Sequence, residues 1–356
     1  MITVVDGVGV IQLNRPRAIN ALSGAMIQRL TQVLTSWIDD DCVTQVLLGG
    51  VGRGLCAGAD VRQLRQVIME AGADPVEFLR REYALDQLIA TYSKPFTAAM
   101  HGIVMGGGLG LSAHAARRVV TADAALAMPE TIIGLWPDVG VTYRLARMPG
   151  EVGTYMALTG LTVTGRQAVE LGLADDLDMR GLITGEPWSP SAMVELVRSA
   201  PAESLVAPGR AGGSDPAGPI SLTTSDTLRS AASDDSQLDD TDLSWTQPFF
   251  SGDDAAAILA RLESDNSDRT QKTAAAIRAR SPLSVAVSLA AVRRAATMTL
   301  DEVFAQDLRL GAFFLNRPDF AEGVRAQLVD KDHHPHWSLA RLEDVTPAQV
   351  EAAFED

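Results

Sequence analysis

Lys94-Pro95-Phe96-Thr97-Ala98-Ala99-Met100-His101-Gly102-Ile103-Val104-Met105-Gly106-Gly107-Gly108-Leu109-Gly110-Leu111-Ser112 is the stretch that decides the fold. Residues 96–100 form a short run of strand-suited residues behind a proline, and a helix is expected from Gly107 to about residue 116. Between them lies a glycine-rich loop, where backbone N–H groups stay free and side chains do not block approach to them. A second stretch, Gly52-Arg53-Gly54-Leu55-Cys56-Ala57-Gly58-Ala59-Asp60, has the same form. A strand is expected over 43–48 before it and a helix from near Asp60 after it. Strand, glycine loop and helix recur, which implies an α/β class.

Working outward, the N-terminal residues 2–5 and 8–13 flank Asp6-Gly7 and read as a β-hairpin. Ser23 can cap a helix whose apolar residues Ile27, Leu30, Leu34, Trp37 and Ile38 recur at helical spacing. Downstream, residues 118–121 and 125–128 are short strand-like runs. Thr164 and Gly172 bound one more helix. The sheet-and-helix core is expected over 1–180, carrying the site. Residues 201–247 turn to Ser, Asp, Gly, Pro and Ala, so 181–247 reads as a divergent linker or insertion. Helical periods at 255–262, 272–279, 285–297 and 300–314 make 248–356 a helical C-terminal region.

Composition narrows the function. Forty-five acidic against thirty basic residues give a formal charge of −15, which disfavours nucleic acid as a partner. No apolar run is long enough for a transmembrane helix, so no membrane partner is expected. Cys42 and Cys56 are too few for a disulfide framework and lack zinc spacing. A reducing, cytoplasmic setting is expected. His333, His334 and His336 sit around Pro335 among polar neighbours, which reads as an exposed turn. No metal and no cofactor are expected.

Two features carry chemistry. Free amides at the two glycine loops, strengthened by helix dipoles, can hold an oxyanion as a thioester carbonyl is attacked; tight turns and close packing explain the same glycines. The second feature is Met128-Pro129-Glu130-Thr131-Ile132-Ile133-Gly134-Leu135-Trp136-Pro137-Asp138-Val139-Gly140, which sets two carboxylates among apolar and turn-forming residues. Poor solvation raises a carboxyl pKa and improves it as base or nucleophile. From spacing alone, helix capping by Glu130 and a turn at Asp138 are the modestly favoured reading.

Here the residues resemble a family. Residues 52–60 are similar to the oxyanion segment of the crotonase (enoyl-CoA hydratase/isomerase) superfamily, and 94–112 resemble its strand and glycine-triplet segment. Met128-Pro129-Glu130-Thr131, Trp136-Pro137-Asp138-Val139-Gly140 and the segment 317–332 resemble the 3-hydroxyisobutyryl-CoA hydrolase branch. The resemblance covers most of 8–178 and 248–350. It implies a crotonase spiral of ββα units with a helical C-terminal region, and hydrolysis of a short 3-hydroxyacyl-CoA in valine catabolism. It also implies an oxyanion hole from the amides of Ala59 and Gly107. Glu130 and Asp138 would be the catalytic carboxylates. Glu82 would line the substrate pocket, with Gly58, Asp60, Gly106 and Gly108 also binding substrate.

Enoyl-CoA hydratases carry a glutamate where this chain has Gly110, and that difference favours hydrolysis over hydration. The rivals are an enoyl-CoA isomerase or hydratase and a silent acyl-CoA binding protein; release of free thiol separates them from a hydrolase. Acyl-CoA is the expected partner. Crotonases form trimers and pairs of trimers, but the C-terminal region can cover the same surface and leave a monomer.

Overall fold

A computed structural model describes residues 1–69, 74–178, 181–198 and 242–355. The chain opens with β1 (Ile2–Val5), β2 (Val8–Leu13), α1 (Gly24–Ile38), β3 (Gln45–Gly50), α2 (Val61–Met69) and α3 (Val76–Ala90). Then come β4 (Phe96–Met100), β5 (Ile103–Met105), α4 (Gly107–Ala113), β6 (Arg117–Val120) and β7 (Ala125–Ala127). After α5 (Thr142–Leu145) and α6 (Val152–Thr159), β8 (Val163–Thr164), α7 (Gly165–Glu170) and β9 (Asp176–Leu177) complete the strands.

The larger sheet runs β1-β2-β3-β4-β6-β9. Only the β1–β2 hairpin is antiparallel; the remaining pairs are parallel. A parallel sheet is covered on both faces, so its strands read as near-continuous apolar runs. All six residues of β2 are accordingly buried. Ile11, Leu13, Val46, Leu48, Ala98 and Met100 face a large core that includes Leu30, Leu34 and Trp37 of α1. A smaller sheet, β5-β7-β8, lies beside it, and isolated bridges from Gly54 to Gly102 and from Cys56 to Val104 tie the two glycine loops together.

The opposite sheet face is closed by residues assigned above to the linker. Ile183, Trp188, Leu196 and Val197 cluster with Val8, Val10, Leu47, Ala99 and Val119. Gly49 makes room for the Trp188 ring, with which any Cβ there would collide. Of the expected linker 181–247, residues 181–198, including α8 (Pro190–Arg198), therefore pack against the sheet, while 199–241 lie outside the described residues.

Several element ends differ from expectation. The 43–48 strand starts at Gln45, because the Val43 and Thr44 amides are taken by the carbonyls of Asp40 and Gly7. The 107–116 helix ends at Ala113, since Arg117 already pairs with Thr97 in the sheet. Helix α3 was not separated from its surroundings in the sequence.

The C-terminal helices are α9 (Thr246–Phe250), α10 (Ala255–Ser264), α11 (Asp268–Arg278), α12 (Pro282–Ala295), α13 (Leu300–Leu315), α14 (Pro318–Val324) and α15 (Pro347–Glu351). Ser267, Ser281 and Thr299 cap α11, α12 and α13, so the first two begin before their apolar periods suggest. These helices are not an appendage. Phe304, Leu310, Phe314 and Phe320 enter the same core as the sheet, and α13 packs on α3.

Candidate active site

Most of the residues expected to carry chemistry converge on the N-terminus of α4. Leu22 bridges to Ala59 in parallel fashion; Leu22 N–H donates to the Gly58 carbonyl and Asp60 N–H to the Leu22 carbonyl. That pairing fixes the backbone of 58–60. On the other loop, Gly106 adopts a positive φ of 51°, which turns the chain out of β5 into α4. A Cβ built on Gly107 would lie 3.4 Å from the Ala59 nitrogen, so the two loops meet at their amides. Neither the Ala59 nor the Gly107 N–H donates to an acceptor among the described residues. Two free, adjacent donors at a helix N-terminus are what an oxyanion requires.

The carboxyls gather around the same helix. Glu130 opens a short 3-10 turn (Glu130–Ile133) after β7, and a Cβ on Gly106 would lie 2.8 Å from its Oε1. Glu82 reaches in from α3, where a Cβ on Gly107 would collide with its Oε1. Glycines at 106 and 107 thus make room for acids. Asp138 accepts the Tyr83 hydroxyl on Oδ2 at 2.7 Å. The next residue, Val139, holds a positive φ of 54°, unusual for a β-branched side chain. Its carbonyl accepts a 3.0 Å hydrogen bond from His114 Nε2; burial lowers that imidazole to about 3, so it is neutral and carries its proton on Nε2.

The loop is also held from the C-terminal region. Asp307 of α13 accepts the Trp136 indole N–H at 3.0 Å and the Gly140 amide at 2.8 Å, bracketing Asp138. Trp136 stacks on Phe314. Asp86, one turn beyond Glu82 on α3, completes a set of five buried carboxyls. Burial pushes all five above their ordinary range. For Glu82 and Glu130 the charge of Asp138 adds to burial. Asp138 rises only to about 6, because the Tyr83 hydroxyl and a backbone hydrogen bond oppose burial.

Of the residues named from the sequence, Ala59, Gly107, Gly106, Gly58, Glu82, Glu130 and Asp138 come together here. Asp60 is turned away, bridging Arg15 at 2.7 Å. Gly108 packs against the Cys56 carbonyl, which a Cβ there would meet. Tyr83, Asp86 and Asp307 were missed. Their signal was present, since Asp307 lies on the same helical stripe as Phe304, Leu310 and Phe314, and Asp86 on that of Leu79, Tyr83 and Ile89. An acid on an apolar stripe is a candidate for burial, which packing then decides.

Known proteins share much of this sequence and fold. The enoyl-CoA hydratase/isomerase family matches over residues 8–186 and 187–354. The mitochondrial 3-hydroxyisobutyryl-CoA hydrolase of Gallus gallus is 35% identical over 350 residues, covering 98% of this chain and 86% of that protein. The Homo sapiens protein of the same name is 33% identical, covering 97% and 86%. Among solved structures, a carnitinyl-CoA dehydratase from Mycobacterium thermoresistibile superposes with a TM-score of 0.81 at 36% identity, covering 100% of this chain and 96% of that one. An enoyl-CoA hydratase from Rhodobacter sphaeroides 2.4.1 also gives 0.81, at 31% identity, covering 99% and 96%.

Proposed function

Because the chain belongs to the enoyl-CoA hydratase/isomerase family, we propose that it hydrolyses a short 3-hydroxyacyl-CoA thioester, 3-hydroxyisobutyryl-CoA foremost, to the hydroxy acid and free CoA. The observation that carries the reading is the pair of unengaged amides at Ala59 and Gly107, with the Glu130 and Asp138 carboxyls beside them. Several relatives of similar length bear the hydrolase name, and two structural neighbours are titled dehydratase and hydratase. The shared name of the curated relatives favours the hydrolase.

In this reading the thioester oxygen sits between the two amides, which stabilise the negative charge that develops on it. Glu130 in its ionised form attacks the carbonyl carbon; the C–S bond breaks, the thiolate leaves and takes a proton from solvent, and a mixed anhydride remains. Asp138, raised only to about 6, takes a proton from the water that opens the anhydride. Glu82 crowds Gly107 and shapes the wall next to the thioester. Acidic groups with raised pKa values are well matched to proton transfer near neutral pH. Such a reaction belongs to valine catabolism. The exposed Cys42 and buried Cys56 thiols support a reducing compartment, and we place the enzyme in the cytoplasm.

Purified protein, with no metal or redox cofactor added, is expected to release thiol from 3-hydroxyisobutyryl-CoA. Activity lost on chelation and restored by a divalent ion would contradict the cofactor-independent mechanism. Loss of the double-bond signal of an enoyl-CoA without thiol release would favour the hydratase reading.

A further inference from the structure

We propose that Asp86 is the residue that recognises the 3-hydroxyl of the acyl group, an assignment that rests on the hydrolase reading and adds a specificity determinant to it. Asp86 lies on α3 one helical turn past Glu82 and is completely buried. Neither of its carboxyl oxygens has a hydrogen-bond partner among the described residues. A buried polar group without a partner is costly, and here two oxygens on one side chain are in that state.

Its position is informative. A Cβ built on Gly110 would lie 2.7 Å from Asp86 Oδ2, 3.0 Å from its Cγ and 2.8 Å from Val139 Cβ. The carboxyl therefore fills the space between α3, α4 and the loop that carries Asp138, where a side chain at position 110 would otherwise project. The absence of an acid at Gly110 suggested that no second carboxyl stands at this point; α3 supplies one from the other side.

The spacing suits the substrate. Along α4, Gly110 lies ~4.5 Å beyond Gly107, whose amide is one half of the oxyanion pair. A 3-hydroxyl is three bonds from the thioester carbon, and its acceptor lies ~2.8 Å further on. An acyl group whose carbonyl is held at Gly107 and whose chain follows α4 brings that hydroxyl to Asp86. Asp138 is less suited to the task, because its Oδ2 already accepts the Tyr83 hydroxyl. Asp86 has both oxygens to offer, and a site built to bond a hydroxyl discriminates against the analogue that lacks it.

The test reads the ratio of kcat/KM for 3-hydroxyisobutyryl-CoA to that for isobutyryl-CoA, by thiol release. Asp86→Leu removes the polar group at similar size and is expected to lower the ratio roughly ten- to hundredfold. Asp86→Asn keeps a hydrogen-bonding amide and is expected to hold the ratio within about threefold. Gly110→Ala forces the carboxyl aside without altering it, and is expected to lower the ratio in the direction of Asp86→Leu. This third variant keeps the test decisive if Asp86→Leu does not fold. A ratio unmoved in the folded variants, or lowered as much by Asp86→Asn as by Asp86→Leu, overturns the assignment. Wild-type protein that releases thiol from neither thioester overturns the hydrolase reading and this assignment with it; a wild type that turns over while the variants leave the ratio unmoved removes the assignment alone.

Discussion

The Tyr83 hydroxyl donates to Asp138 Oδ2 at 2.7 Å, joining α3 to the Trp136–Gly140 loop across 55 positions of sequence. The bond stabilises the ionised form of Asp138, so it acts against burial and keeps this carboxyl at about 6. Tyr83→Phe removes that support. The Asp138 pKa is then expected to rise, moving the acidic limb of the pH–rate profile upward. Activity should fall most near pH 6 and least near pH 8. A profile that drops evenly at all pH values would separate Tyr83 from the titration.

Glu130→Gln keeps the shape of the side chain and loses its charge. Turnover should be abolished while substrate binding, measured by calorimetry on an uncleaved thioester analogue, stays within a few-fold. Single-turnover hydrolysis in heavy-oxygen water, followed by mass analysis of the peptide holding Glu130, reports the route. Label in that peptide establishes the anhydride opened at the enzyme carbonyl. Label confined to the product acid leaves direct attack by water, or opening at the substrate carbonyl.

Gly107 combines a free amide with a close approach to Glu82, and two substitutions separate these roles. Gly107→Ala keeps the N–H but displaces the Glu82 carboxyl. Gly107→Pro also removes the donor, and its kcat should fall a further hundredfold or so, the usual cost of losing one oxyanion contact. Equal activities in the two variants, both folded by circular dichroism, would remove the Gly107 amide from the site.

Asp307 holds the Asp138 loop through Trp136 and Gly140. Asp307→Leu leaves two buried donors unsatisfied and should cost about 2–5 kcal/mol in urea unfolding. Full stability of this variant would show the two bonds to be energetically idle.

The pH dependence of stability follows from the same acids. Their folded pKa values lie above the unfolded ones, so the folded state binds more protons than the unfolded state between the two. Stability is full below the unfolded carboxyl pKa of ~4 and falls as pH rises toward the folded values; for Asp138 that window closes at about 6. Asp86→Asn should therefore flatten the decline in melting temperature between pH 5 and 8. A decline identical to the wild type would mean that Asp86 does not titrate there.

What could be read directly from the residues was local. The glycine loops at 52–60 and 102–108, the hairpin about Asp6-Gly7 and the apolar period of α1 each state their own backbone geometry, because turn chemistry and helical spacing act within a few residues. The α/β class followed from their order, and the family resemblance singled out Glu82, Glu130 and Asp138. Read alone, Glu82 is a charge on a helix. Only the tertiary structure decided that it is buried with Asp86 against α4 and that Asp307 arrives from more than 160 positions away to hold the Asp138 loop. Only packing, too, placed 181–198 on the sheet rather than in a linker, since Trp188 finds its partner at Gly49. The physical reason is that burial and charge proximity depend on which elements pack together; no property of a single carboxylate's neighbours in sequence sets its pKa or its contacts.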